Sequence, residues 1–183
     1  MMHLVLLALT FTAPMGAQAP VQQFGKFENL APPIPSPQAV VERMLELARI
    51  KPGEVVYDLG SGDGRIVITA AQKFGAHGVG VELSASLYRE ASLRIQALGL
   101  EDRVKMVHGS ALRVDLSGAD VVTMYLLTSS NERLRPNLEK YLKPGARVVS
   151  NEFPVKGWKP REVVEMKTGG MTRHIYVYEI GRQ

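Results

Sequence analysis

At 183 residues the chain has room for one domain with a sizeable core, and its 45% hydrophobic and 22% charged residues are an ordinary soluble composition. A net charge of +4 and a pI near 9.4 give a weak preference for acidic surfaces, which is not the basic stripe of a nucleic-acid binder. The absence of cysteine excludes disulfides, thiolate catalysis and cysteine-ligated zinc, and the four histidines (His3, His77, His108, His174) lack metal-ligand spacing, so no metal site is expected.

Residues 1–19 stand apart as a hydrophobic leader. Leu4 to Leu9 form an apolar run too short for the ~20 residues of a spanning helix, and Ala17-Gln18-Ala19 is like a small-residue cleavage site. The stretch reads as a secretory signal peptide, with an uncleaved tether or a misassigned start codon as alternatives. Residues 20–36 form a proline-rich linker, extended because each ring fixes φ. The folded domain is placed at 37–183. Ser36-Pro37 reads as an N-cap followed by proline at the first helical position, opening a helix to about Ile50 that buries Val40, Val41, Met44, Leu45 and Ala48.

Val55 to Asp58 reads as a buried strand, followed by a turn with alternating glycines (Gly60, Gly62, Gly64) and a helix from Ile66 to Phe74. Glycines let a backbone approach a ligand closely, and the following helix aims its N–H groups and positive end at whatever lies there. In open α/β sheets such a turn is where nucleotides bind. A dinucleotide fingerprint places its third glycine at the sixth position. Here that position is Arg65, so a bound pyrophosphate is disfavoured, and Asp58 suits a cationic ligand better than a phosphate.

Gly78 to Glu82 is the second predicted strand, and Glu82 lies about 20 residues beyond the turn, where a carboxylate accepts from both ribose hydroxyls. Ser84 is expected to cap a helix to Leu98 that turns Leu87, Ala91, Ile95 and Leu98 inward. Val104 to His108 is the third strand, followed by Gly109-Ser110-Ala111. Asp120 to Leu127 is the fourth, Asn131 to Leu142 a helix, and Ala146 to Ser150 the fifth strand, leading to Asn151-Glu152-Phe153 at the mouth of the sheet. Glu162 to Met166 and His174 to Ile180 alternate apolar and polar residues, as in an antiparallel hairpin turning through Gly169-Gly170.

The stretch Asp58-x-Gly60-x-Gly62-x-Gly64 resembles the first motif of class I S-adenosylmethionine (SAM) methyltransferases. Three later blocks, Val121 to Leu127, Leu138 to Ser150 and Gly157 to Pro160, narrow the resemblance. They are similar to the small archaeal broad-specificity protein lysine methyltransferase and its bacterial and mitochondrial relatives, over about Pro32 to Gly181. The resemblance implies a Rossmann-like α/β fold: a seven-stranded, mostly parallel sheet with an antiparallel C-terminal hairpin and helices on both faces. It also implies SAM as cofactor, held by Ser36, Asp58, Gly60, Ser61, Gly62, Gly64, Glu82, Ser110, Ala111 and Tyr125. Family members carry Pro-Tyr-Val-Pro-Thr-Pro before the first helix. Pro32 to Pro37 replaces it here, with Ser36 keeping a hydroxyl and Pro33 in place of the tyrosine.

The implied activity is methyl transfer to lysine ε-amines by in-line displacement, with Glu152, Tyr125, Asn151 and Trp158 as the residues set around the amine. Thr128 also stands near a strand end, and Phe153 would help wall the channel. A small-molecule methyltransferase and a non-catalytic SAM-binding protein are the rival readings. The expected partner is a protein offering exposed lysines, with no nucleic acid, membrane contact only through the leader, and a monomeric state. Localisation is pulled two ways: the leader points to export or tethering, whereas SAM is a cytosolic metabolite.

Overall fold

The computed structural model describes residues 29–182; the leader and most of the linker lie outside that range. Seven strands form one sheet: β1 (Val55–Leu59), β2 (His77–Glu82), β3 (Val104–His108), β4 (Val121–Met124), β5 (Arg147–Asn151), β6 (Glu162–Thr168) and β7 (Met171–Glu179). Their order is β3-β2-β1-β4-β5-β7-β6. The first five pair parallel, and β7 runs antiparallel to both β5 and β6. The central strands β1 and β4 are rich in valine; β4 is buried on both sides, and β1 is buried except for the half-buried Val55 and Tyr57. The strand order reverses between β1 and β4, and the crevice beyond their carboxyl ends is where such sheets take ligands.

The helices are α1 (Gln38–Leu47), α2 (Arg65–Phe74), α3 (Ala85–Ala97) and α4 (Thr128–Tyr141). Alternation along the strands sends one set of side chains to each face. Val56, Val121, Val149, Ile175 and Val177 meet α1 and α2 through Val40, Met44, Leu45 and Ile66. Leu59, Val122, Met124, Val148 and Tyr178 meet Leu134 and Leu138 of α4 on the other face. A third cluster packs Val67, Ile68 and Ala71 of α2 against Ala91 and Ile95 of α3 and against Val104 and Met106. Glycines in β2 make the α2 packing possible: a Cβ on Gly78 would lie 2.7 Å from the Val67 Cβ.

Several expected boundaries move. Proline 37 itself occupies the cap of α1 and makes no side-chain cap bond; its carbonyl accepts from Val40 and Val41, which frees the Ser36 hydroxyl for another partner. Strand β4 ends at Met124, because Leu127 already caps α4, which begins at Thr128. Leu98 follows the last turn of α3 and is 44% exposed, so the inward stripe is Ala91 and Ile95. Ser84 does cap α3, its hydroxyl accepting from Leu87 N–H. The C-terminal hairpin turns through Gly169 and Gly170, with φ of 58° and 77°, the paired left-handed conformations of a type I′ turn.

Candidate functional site

The site is built on the glycine turn. Gly60 and Ser61 N–H both donate to the Val81 carbonyl, at 2.9 and 3.0 Å, folding the turn back over β2. Gly60 has φ of 80°, and a Cβ there would come within 3.0 Å of Leu126. A side chain at this position meets both a strained backbone and an occupied space. The Glu82 carboxylate fastens the turn from the neighbouring strand: Oε2 accepts from Gly62 N–H at 2.8 Å and Oε1 from Ser84 N–H at 2.7 Å. Each oxygen keeps a further lone pair for a ligand hydroxyl. Gly64 heads α2 and packs against Ala91 and Met106, so it serves the turn without lining the cavity.

Asp58 is the next-to-last residue of β1 and is 3% exposed. Its Oδ1 accepts from the Thr123 hydroxyl at 2.8 Å. Burial pushes its carboxyl up to about 7; the Thr123 hydrogen bond opposes that rise, and the Glu82 and Asp63 carboxylates add to it. Among the described residues no cation pairs with it, whereas Asp63 alongside is gripped by Arg65 at 2.7 Å and reached by Arg94 at 3.2 Å. Burial alone would raise the Asp63 carboxyl; these two arginines hold it below the ordinary carboxylate range. The Ser61 hydroxyl, buried beside the Asp58 carboxyl, opposes its rise as Thr123 does.

Above this floor lies a cavity of about 300 Å³, at the lower end of the size range for small-ligand sites. Asp58, Gly60, Ser61, Gly62, Glu82, Ala111 and Tyr125 line it, and residues 29–36 contribute a continuous stretch of the lining. That segment, read from the sequence as the end of a linker, is tied down in three places. The Ser130 hydroxyl donates to the Leu30 carbonyl, Arg65 Nη1 donates to the Ser36 carbonyl at 2.8 Å, and Asn151 Nδ2 donates to Ser36 Oγ at 3.1 Å. Leu30 is buried in the core beside α4. Ser110 does not face the cavity; its hydroxyl accepts from Leu112 N–H and completes its own turn.

At the carboxyl ends of β4 and β5 a polar cluster adjoins the cavity through Tyr125. The Tyr125 ring stacks on Phe153, with centroids 6.1 Å apart. Its hydroxyl accepts from Arg173 Nη1 at 3.2 Å, and the same nitrogen lies 3.4 Å from Glu152 Oε1. Glu152 has φ of 65°, a left-handed backbone that costs a non-glycine residue on the order of 1 kcal/mol. Two main-chain bonds hold it there, Glu152 N–H to the His174 carbonyl and Phe153 N–H to the Asn151 carbonyl. Asn151 is fully buried and reaches the cavity only through Ser36, with its own Oδ1 unpartnered. Thr128 opens α4 and lies outside the cavity lining.

Trp158 sits elsewhere. Its indole N–H donates to Glu139 at 2.8 Å and its ring meets Tyr178 edge-on in the core under α4. It walls no channel in this fold. Sequence reasoning placed Ser36 at the cofactor but missed Arg173, Thr123 and the part that residues 29–35 play in the cavity lining. Of these only Thr123 had a signal, its register opposite Asp58 on the neighbouring strand.

A family model described as the ANTKMT methyltransferase domain matches residues 58–162, from the acid of the glycine turn to the start of β6. The chain belongs to this family. A protein-lysine N-methyltransferase of Saccharolobus islandicus is 50% identical over 82% of the chain and 94% of its own length. The adenine nucleotide translocase lysine N-methyltransferase of Mus musculus is 36% identical over 76% of the chain, which spans 59% of that protein. Among solved structures, one described as an RNA methyltransferase from Salinibacter ruber in complex with S-adenosyl-L-homocysteine superposes with a TM-score of 0.77. It is 43% identical, and the match covers 82% of this chain and 95% of that one.

This ANTKMT-type chain is thus a class I SAM-dependent methyltransferase. Its residues fit the cofactor. A buried carboxyl lacking a cation among the described residues, a carboxylate with spare lone pairs and a turn with glycine at 60 and 62 together suit a zwitterion that carries a sulfonium and a ribose.

Proposed function

We propose that this enzyme methylates lysine ε-amines of a protein, and that the placement of Tyr125 and Glu152 carries the reading. A carboxylate and a phenol stand at the strand ends beside the cofactor cavity and already hold one cationic group, the Arg173 guanidinium, so they offer the acceptors that a lysine ammonium needs. The names of the archaeal and mouse relatives support the same acceptor. SAM, when bound, supplies an electrophilic methyl on a positively charged sulfur.

The protein's own residues have simpler work. Asp58 and Ser36 would hold the amino-acid end of the cofactor, Glu82 its ribose, and the glycine turn its near face. Ala111 and Gly109 would pack on the base. Tyr125 and Glu152 receive the lysine as ammonium and orient it. An amine with a reference pKa of about 10.4 must then give up a proton to water before it can react, which a neighbouring sulfonium and desolvation favour and the Glu152 carboxylate opposes. In-line displacement needs little more than alignment, so no strong base is required. The reading carries with it a monomer whose contact with any membrane is confined to the leader, residues 1–19.

The test is transfer of labelled methyl from SAM to a lysine-rich protein mixture and, in parallel, to total RNA, with modified positions mapped by mass spectrometry. Label on lysine that falls at least about tenfold in Glu152→Gln supports the proposal. Label on RNA alone refutes it and matches the description given to the Salinibacter ruber protein.

A further inference from the structure

Arg173 is a cation that neither the cofactor site nor the methyl-transfer step uses, yet one of its nitrogens already bridges Tyr125 and Glu152, the two groups assigned above to the acceptor amine. Its side chain is 14% exposed, and Glu152's is 19%. A single nitrogen, Nη1, makes both contacts, at 3.2 Å to the Tyr125 hydroxyl and 3.4 Å to the Glu152 carboxylate. Charge-assisted bonds of this type ordinarily close to about 2.7–2.9 Å. The guanidinium Nε is buried and finds no hydrogen-bond partner among the described residues. A planar fork built for two parallel bonds to a carboxylate is therefore held by one nitrogen, at long range, with one donor wasted.

The surroundings leave Glu152 short of any better cation. On its other side His174 Nδ1 stands 3.9 Å from Oε2, beyond hydrogen-bond range, and the opposite ring nitrogen faces Glu165 at 3.2 Å. Arg173 comes from β7 and Glu152 from the end of β5, so the pair forms across the antiparallel junction and not within one segment.

We infer that Arg173 is an internal stand-in for the substrate: its guanidinium keeps the Tyr125–Glu152 site neutral while empty, and the incoming lysine ammonium binds by displacing it. This rests on the lysine reading of the site. A compact ammonium with three donors satisfies the phenol and the carboxylate together at normal lengths, which the guanidinium does not. Arg173 thereby sets a threshold that weakly presented amines fail to cross, making it a determinant of acceptor selectivity.

The experiment uses the full chain loaded with S-adenosylhomocysteine and n-butylammonium as the lysine side-chain probe, followed by NMR titration. Arg173→Met keeps most of the aliphatic stem and removes the rival charge. It is expected to bind the probe about tenfold more tightly than the unmodified protein. Adding Glu152→Gln to it should abolish the gain. Unchanged or weaker binding by Arg173→Met overturns the inference. The unmodified protein gives a second readout: the buried Arg173 Nε–H resonance should shift along the same titration, and a resonance that stays fixed while the probe binds also overturns it. If the competition is seen but neither protein labels any lysine, the lysine-methylation reading fails and takes the selectivity role of Arg173 with it; if lysine is labelled but the competition is not seen, the inference alone is overturned.

Discussion

Replacing Asp58 by asparagine should change how stability depends on pH, and the size of the change follows from the burial of that carboxyl. In the unfolded chain an aspartate titrates near 3.8, and in the fold Asp58 titrates at about 7, chiefly because burial disfavours its charge. Below 3.8 the group is neutral in both states and contributes nothing. Between 3.8 and about 7 the folded state holds a proton that the unfolded state has released, so stability falls as pH rises; above about 7 the loss levels off. Integrating from about pH 5 to about pH 8 gives a loss of about 2.5 kcal/mol for the wild type that Asp58→Asn, which keeps an acceptor for the Thr123 hydroxyl, does not share. For a chain of this size the difference in Tm between the two proteins should therefore move by about 5–10 °C over that range. The assay is thermal or urea unfolding of both proteins at matched pH values, so that every other titrating group cancels in the difference. Parallel profiles would refute the reasoning. With saturating S-adenosylhomocysteine, whose ammonium supplies the missing cation, the wild-type slope should flatten while that of the variant stays as it was.

Three further outcomes follow from named contacts. Glu82→Ala removes the clasp on Gly62 and both acceptors for the ribose, and calorimetry should show SAM affinity falling by a factor of about 100 or more. Gly78→Ala forces a Cβ to within 2.7 Å of the Val67 Cβ and 3.0 Å of its carbonyl oxygen; denaturation should register a loss of about 1–3 kcal/mol. Trp158→Phe gives up the hydrogen bond to Glu139 but lies away from the cavity, so it should cost about 1 kcal/mol of stability with SAM affinity unchanged.

The family relationship and the geometry also divide the work between parts of the chain. The family model covers 58–162, whereas the strap at 29–36 and Arg173 of β7 lie on either side of it. The glycine turn, Asp58 and Glu82 lie in the part that the family model covers, whereas Ser36, set at the amino-acid end of the cofactor, lies before it. Access to the cavity and competition at the acceptor position come from the flanks. Sequence differences among relatives in those flanks are accordingly the place to look for differences in acceptor.

Order along the chain was readable because it rests on local physics. Valine-rich runs of strand length, helix-period apolar stripes, the glycine turn and the acid about 20 residues beyond it each follow from short-range spacing, and the structure returns all seven strands and four helices where those signals lie. The boundary errors have local causes as well: Pro37 took the cap that Ser36 was expected to fill, and α4 began early enough to shorten β4. Contacts across the fold were not readable. Residues 29–36 look like a linker by composition and become one wall of the cavity only because Ser130, Arg65 and Asn151, distant in sequence, reach them. Trp158 has the composition of a channel wall and became core because Glu139 and Tyr178 were waiting for it under α4. Arg173 carries no motif at all; its meeting with Tyr125 and Glu152 exists only once β7 lies antiparallel to β5. Spacing along a chain specifies what each segment becomes, but which side chains share a desolvated pocket depends on strand order and on packing between elements far apart in sequence.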